Sequence, residues 1–268
     1  MVAPVTLTTF TVWLVPAAGA PVLVKVMTIW PLASAGGMDG PDGTLAAGWK
    51  RVDFHSHSYL TDGVSSPTDM WHEAELLEHR VLALTDHLAL EDPRPLLERL
   101  RREARAWDGE SFVPLVGVEI TQVPPRHLAE AARAARTAGA QVVLVHGESV
   151  VERVAPGTNH AAIASGLVDV LAHPGLIDPK DVELAREQGV TLEISGRPGH
   201  GLGNGHVVRH ALEVGADLVV DSDAHRPQDL IAPAHARRIA RGAGVPEERL
   251  EEVLVRTPDA LVRRLRGR

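Results

Sequence analysis

The chain has 268 residues, 44% of them apolar and 23% charged, which suits a single soluble domain with an ordinary buried core. It has no cysteine, which excludes disulfides and thiolate metal ligands, so any bound metal must rest on imidazole and carboxylate. A formal net charge of −8 argues against a nonspecific nucleic-acid coat, which needs a basic face. It leaves open an enzyme that grips a short phosphate-bearing substrate.

In chain order, residues 1–50 stand apart. No side chain from Met1 to Val24 is charged, and Lys25 is the first that is. A secretory signal would open with a basic segment, which is missing. A membrane or export segment is one reading, but Pro4, Pro16 and Pro21 interrupt it and Gly19 adds to the break. The other is a disordered extension or a misassigned start, with the true start nearer Met27 or Met38. Residues 35–43 (AGGMDGPDG) have linker composition. The expectation is a cytoplasmic protein with no membrane segment and one domain over 51–268.

From Arg51 onward, short β-branched runs alternate with amphipathic stretches. The predicted strands are Arg51–His55, Val81–Thr85, Pro114–Glu119, Gln141–His146, Val168–His173, Val190–Ile194 and Ala216–Asp221. Helical patterns between them include Pro67–Arg80, His127–Ala138, Pro179–Gln188 and His206–Val214. Gly139, Gly189 and Gly215 follow three of these, where a left-handed cap is expected. Strands alternating with helices imply an α/β fold with a parallel sheet, and near-continuous apolar strands imply that both faces are covered. Closure into a barrel is favoured over an open sheet.

Metal-competent residues gather at the C-terminal ends of these strands, the end that carries the active site in β/α barrels. They are His55, His57, Asp62, His87, Glu119, His146, His173, Asp223 and His225, at the ends of six different strands. Residues two apart in a strand point the same way, so His55 and His57 can share one ion, as can Asp223 and His225. A glutamate can bridge two ions. Imidazole with carboxylate suits two to three divalent ions such as Zn, Mn or Fe. Taken singly, a strand-end histidine such as His146 is more often hydrogen-bonded scaffold, and Asp62 or Asp86 alone reads as well as a helix cap. Nine such residues at one end are not explained that way. His72, His79, His127, His160, His210 and His235 fall on helical or loop stretches and read as surface or packing residues.

The runs DFHSHSYLTDG, ALTDH, GVEIT, VLVHGE, LAHPG, LEISGRPGH and DSDAH resemble the motifs of the PHP (polymerase and histidinol phosphatase) superfamily over roughly residues 51–232. VHGES, APGTNHAAI and NGHVV resemble a subgroup of histidinol-phosphatase-related proteins. Residues 1–50 have no counterpart there, and the last helices match loosely. The resemblance implies a distorted (β/α)7 barrel and a trinuclear site. One ion would be held by His55, His57, Glu119 and Asp223, a second by Glu119, His146 and His173, and a third by Asp62, His87 and His225. Asp62 stands where many members have histidine, and either can ligate.

The expected activity is hydrolysis of a small phosphomonoester, with histidinol phosphate the leading candidate. The competing readings are a nuclease or phosphodiesterase and a noncatalytic metal-binding scaffold. Arg/Lys clusters occur only at 99–105, 237–241 and 263–268, where they read as solvated helix faces, so nucleic acid is the less favoured partner. Arg197, after the sixth strand, is the candidate phosphate clamp, since guanidinium can bind two oxygens. His200 in the same loop is placed to assist or to protonate the leaving group. Asp53 and Asp86 are expected to orient ligand imidazoles. The loops Gly147–Thr158 and Gly196–Gly205 are expected to shape the substrate pocket.

Overall fold

The computed structural model describes residues 49–267 and two short strands before them, β1 (Val12–Leu14) and β2 (Val22–Val24). These two pair antiparallel within a unit spanning Met1–Gly43, and the rest of the chain forms a second unit, Thr44–Arg268. The expectation of a disordered extension or a misassigned start otherwise lies outside the described residues. No helix among the described residues is long and apolar enough to cross a membrane.

The second unit is a parallel barrel. Its strands are β3 (Arg51–Asp53), β4 (His79–Leu84), β5 (His87–Leu88), β6 (Val113–Ile120), β7 (Val142–His146), β8 (Val170–Ala172), β9 (Thr191–Ser195) and β10 (Leu218–Asp221). Seven of them lie in the order β10-β9-β8-β7-β6-β4-β3, and β5 pairs with β6. The eighth strand is the second predicted strand resumed: β4 runs along β6 from Val81 opposite Val113, breaks at Thr85-Asp86, and β5 rejoins with His87 opposite Glu119. At the break the Thr85 amide donates to the Ser56 carbonyl at 2.8 Å.

The ends of the sheet, β3 and β10, meet through one parallel bridge, Ser56 to Ala224, rather than a ladder. Side chains satisfy backbone groups along this seam. The Phe54 amide donates to Asp221 at 2.8 Å, the Ser222 amide to Asp53 at 3.1 Å, and Arg51 to the Val220 carbonyl at 2.8 Å. Each partner here is buried, so an unpaired amide would carry the full cost of lost hydration.

Helices cover the outside: α1 (Pro67–Leu76), α2 (Arg94–Ala104), α3 (Leu128–Thr137), α4 (Thr158–Ala164), α5 (Pro179–Gln188), α6 (Asn204–Val214), α7 (Pro233–Gly242) and α8 (Thr257–Arg266). Their apolar faces pack on one strand parity, as with Leu97 and Leu100 of α2 and Val207 and Val208 of α6. The other parity, including Val81, Ala83, Leu115, Val142, Leu144 and Val219, forms a separate core that takes in Leu261, Val262 and Leu265 of α8. Following that inner parity toward the strand ends leads from Leu115 to Glu119, from Leu144 to His146 and from Val219 to Asp223, so the rule that fills the core also aims the donors.

Caps explain where the helices stop. Ser66 begins α1 with a reciprocal capping box to Asp69, with Pro67 in the first turn. Gly189 and Gly215 end α5 and α6 in left-handed conformation, as expected. The helix predicted to run to Arg80 ends earlier. Glu78 turns left-handed (φ 60) and His79 opens β4, buried in the barrel, where a helical position was expected. A cap made by glutamate rather than glycine leaves no mark in the sequence.

Candidate metal centre

Strand ends bring the nine predicted donors to one mouth of the barrel in three overlapping groups. In the first, His55 Nε2 and His57 Nε2 face each other at 3.1 Å. Glu119 Oε2 lies 3.4 and 3.6 Å from these nitrogens, and Asp223 Oδ1 lies 3.6 and 3.3 Å from them. Four donors held about 2.1 Å from one tetrahedral ion would stand about 3.4 Å apart. In the second, Glu119 Oε1 faces His146 Nδ1 at 3.3 Å and His173 Nε2 at 3.4 Å. In the third, Asp62 Oδ2 lies 3.2 Å from His87 Nε2 and 3.0 Å from His225 Nε2. The two oxygens of Glu119 thus address different groups.

Whether these residues suit a cation can be judged from what they lack. His57 Nδ1, Glu119 Oε1, His146 Nδ1, His173 Nδ1 and Asp223 Oδ1 are buried without a hydrogen-bond partner. Buried polar atoms are rarely left so, and a bound ion is one of the few reasons. Charge agrees with this. Burial opposes ionisation of Glu119 and Asp223, yet His55 and its neighbouring imidazoles hold both carboxyls below their ordinary range. Burial works against protonated His87 too, but Asp62 and Glu119 hold it up at about 10. Burial depresses His57 to about 4, leaving it a neutral donor.

Two donors sit on unusual backbone. His173 (φ 28) and Asp223 (φ 52) are left-handed without being glycine, a conformation that persists only where surrounding contacts hold it and that gathers at functional sites.

Arg197 reaches the same mouth. Its guanidinium donates to the Asp223 carbonyl at 3.0 Å, contacts His225 Nδ1, and stands 3.7 Å from the Asp223 carboxylate. His200 stacks on His173 with ring centres 4.0 Å apart, and its Nε2 is 3.8 Å from Asp223 Oδ2. Burial and the nearby His173 push His200 down to about 4, so it is neutral near pH 7. His173, His200 and Asp223 therefore make a further group able to hold an ion.

The roles expected for Asp53 and Asp86 are corrected. Neither hydrogen-bonds a ligand imidazole among the described residues. Asp53 pairs with Arg51 at 2.9 Å and accepts from the amides of His55 and Ser222. Asp86 accepts from the Ser58 amide and the Thr61 hydroxyl, both at 2.8 Å. Each holds the backbone that carries the donors, because the seam and the broken second strand leave amides without ladder partners.

The imidazole-orienting carboxylate is Glu193, missed from sequence. Its Oε2 lies 2.7 Å from His55 Nδ1, with both residues buried. The available signal was a charged residue inside the apolar run VTLEI. Glu152 was missed as well. It is half-exposed on the loop after β7, 3.4 Å from His146 Nε2 and 3.2 Å from His200 Nε2. Ser149 Oγ lies 2.7 Å from His200 Nδ1.

No family profile matches the chain. An uncharacterized protein of Methanocaldococcus jannaschii is 38% identical over 219 residues, 80% of this chain and the whole of that one. The DNA polymerase/3'-5' exonuclease PolX of Bacillus subtilis is 28% identical over 201 residues, 68% of this chain but 35% of PolX. A probable phosphatase of Aeromonas salmonicida is 35% identical over 118 residues, 40% of this chain and 47% of that protein. Among solved structures, the fold is shared with a histidinol phosphate phosphatase of Lactococcus lactis complexed with zinc, L-histidinol and phosphate. The TM-score is 0.52 at 13% identity, covering 74% of this chain and 95% of that one. It is also shared with a chain from an archaeal ribonuclease P with mature tRNA, at a TM-score of 0.58 and 16% identity over 80% and 93%.

Proposed function

We propose that the chain is a metal-dependent phosphoesterase of the PHP superfamily that hydrolyses a small phosphomonoester, with histidinol phosphate the first substrate to try. The observation that carries this is the convergence of the donor groups on Glu119 and Asp223 with Arg197 beside them. Glu119, Asp223 and Arg197 line one small cleft together with Asp62, His87, His146, His173 and His225.

Two to three divalent ions (Zn, Mn or Fe) held by these residues would supply Lewis acidity and lower the pKa of a water nucleophile. The donors divide as one set of His55, His57, Glu119 and Asp223, a second of Glu119, His146 and His173, and a third of Asp62, His87 and His225. Glu193 keeps the Nδ1 proton on His55 and so turns Nε2 toward the first set. Arg197 binds the nonbridging phosphate oxygens by leaving its contact with the Asp223 carbonyl, since guanidinium bonds an anion more strongly than a neutral acceptor. A neutral His200 is a poor proton donor and assists through its lone pair beside His173 and Asp223. The departing alcohol takes its proton from solvent at the edge of the mouth, where Glu152 stands next to His200.

The test is phosphate release by protein reconstituted with Mn or Zn. The panel holds histidinol phosphate, other monoesters, a generic diester and a short oligonucleotide, with Asp223→Ala as control. Turnover of a monoester that is lost in the variant supports the proposal. Turnover of the diester or oligonucleotide alone moves the assignment to a nuclease, and silence on all substrates to a noncatalytic scaffold.

A further inference from the structure

The cleft among the donors measures about 40 Å³, room for a few waters and far less than a ring-sized alcohol, so such an alcohol would extend beyond it. Next to it is a larger cavity of about 210 Å³. His146 lines both, so the cavity opens directly beside the second donor group. Val123, Pro124, Leu128 and Val154 make it mostly apolar, and it is contributed in part by the loop after β7.

Besides His146 and the buried Thr158, two exposed polar side chains stand at this cavity, neither with a task in the centre itself. Gln122 is exposed and left-handed (φ 57) without being glycine, the kind of held backbone that gathers at ligand clamps. Arg153 is exposed and has no carboxylate partner among the described residues. An apolar cavity of roughly 150 Å³ is enough to take up a benzene ring. This one is larger and ends at an unpaired cation.

We propose that this cavity receives the alcohol portion of the substrate, and that the substrate is a phosphomonoester whose alcohol has a ring-sized apolar body carrying a negatively charged group that pairs with Arg153. The proposal rests on the phosphomonoesterase reading and adds the substrate class to it, a class that ranks histidinol phosphate, whose alcohol carries an ammonium and no second anion, behind carboxylated esters. The phosphate sits among the donors, the apolar body packs on Leu128 and Val154, and the second anion meets Arg153, with the Gln122 amide free to hydrogen-bond the body's edge.

Nonhydrolysable phosphonates test this without requiring turnover. Binding of 4-carboxybenzylphosphonate, benzylphosphonate and methylphosphonate to the metal-loaded protein is measured by calorimetry. The carboxylated ligand should bind roughly three- to ten-fold tighter than benzylphosphonate, the range of one partly exposed ion pair. Arg153→Ala should bring that ratio to about one. Ala155→Trp, at an exposed position lining the cavity, should fill it and lower the benzyl-to-methyl affinity ratio roughly ten-fold or more. Benzylphosphonate binding no tighter than methylphosphonate, no binding of any of the three, or ratios indifferent to both variants would overturn the proposal. Hydrolysis of phenyl phosphate and 4-carboxyphenyl phosphate, run in parallel, separates the two readings. The expected binding pattern without release of phosphate from any ester leaves the cavity assignment standing and removes the esterase. Phosphate release that neither variant alters does the reverse.

Discussion

Replacing Glu193 with glutamine changes one charge and almost no volume, at a residue that hydrogen-bonds the centre through His55 and stands within 4.8 Å of a His173 ring nitrogen. The Glu193 carboxylate and His55 Nδ1 are 2.7 Å apart and fully buried, and the opposite nitrogen of that ring lies 3.1–3.6 Å from His57, Glu119 and Asp223. The carboxylate fixes the tautomer, orients the ring and makes Nε2 more basic. Loss of such a partner costs roughly 10–100-fold in metal affinity or activity, or about 1.4–2.7 kcal/mol. Glutamine can still accept from Nδ1 through its oxygen, so orientation survives and basicity does not, which puts Glu193→Gln near the lower bound and Glu193→Ala near the upper. The assay is competition for Zn against a chromogenic chelator, with circular dichroism to show that the barrel is intact. An affinity within about three-fold of wild type for both variants would refute this reasoning. A change much beyond 100-fold would instead make Glu193 a ligand in its own right.

Asp223→Ala removes one oxygen from each of two donor groups, so it should lose more metal affinity than Glu193→Ala, beyond roughly 100-fold, and all phosphate release. A variant that kept its metal would break the assignment. Because His87 is held at about 10, the metal-free third group is protonated at pH 7, and an ion must displace that proton. Affinity at this group should therefore fall about ten-fold for each unit the pH is lowered from 8 to 6. A flat profile by chelator competition would show His87 already neutral. Gly175 is left-handed (φ 61), and a Cβ there would stand 2.0 Å from the Glu148 carbonyl oxygen, whereas Gly157 (φ 87) faces open space. Gly157→Ala should cost about 1 kcal/mol from backbone conformation alone, and Gly175→Ala well over 2 kcal/mol. Equal urea midpoints for the two would contradict the geometry.

The barrel was legible because its signals are local and periodic. Apolar runs, five of the seven ending in His, Glu or Asp, recur along the chain, and Gly189 and Gly215 marked helix ends where glycine is the favoured residue. The donors were legible for the same reason, since His55 and His57, like Asp223 and His225, are two apart. What stayed hidden depends on which strand lies beside which. Glu193 matters because β9 places it against His55 from β3, a pairing of residues 138 apart that no local pattern encodes. Asp53 was correctly seen as close to the centre, yet its acceptors serve amides at a seam that exists only once the sheet has curled. The cavity beside His146 draws its walls from the loops after β6 and β7; loop composition pointed to Gly147–Thr158 but not to Gln122–Pro124, and Gly196–Gly205 does not line it.

The seam between β3 and β10 has a consequence for how the molecule is assembled. His55 and His57 stand on one side of it and Asp223 and His225 on the other, about 170 residues away along the chain. An ion shared by His55, His57 and Asp223 would act as a clasp across the one joint of the barrel that lacks a hydrogen-bonded ladder, fastening the barrel's first strand to its last. Closing so long a loop is entropically costly, and a cross-link that closes it recovers most of that cost in the folded state. Filling the centre and shutting the barrel would then be a single event, and a chain leaving the ribosome would hold half a site until its final strand arrived. Chelation should loosen the protein first at this joint, with hydrogen exchange rising at Phe54, His57 and Ser222 before it rises in the ladders of β6 and β7.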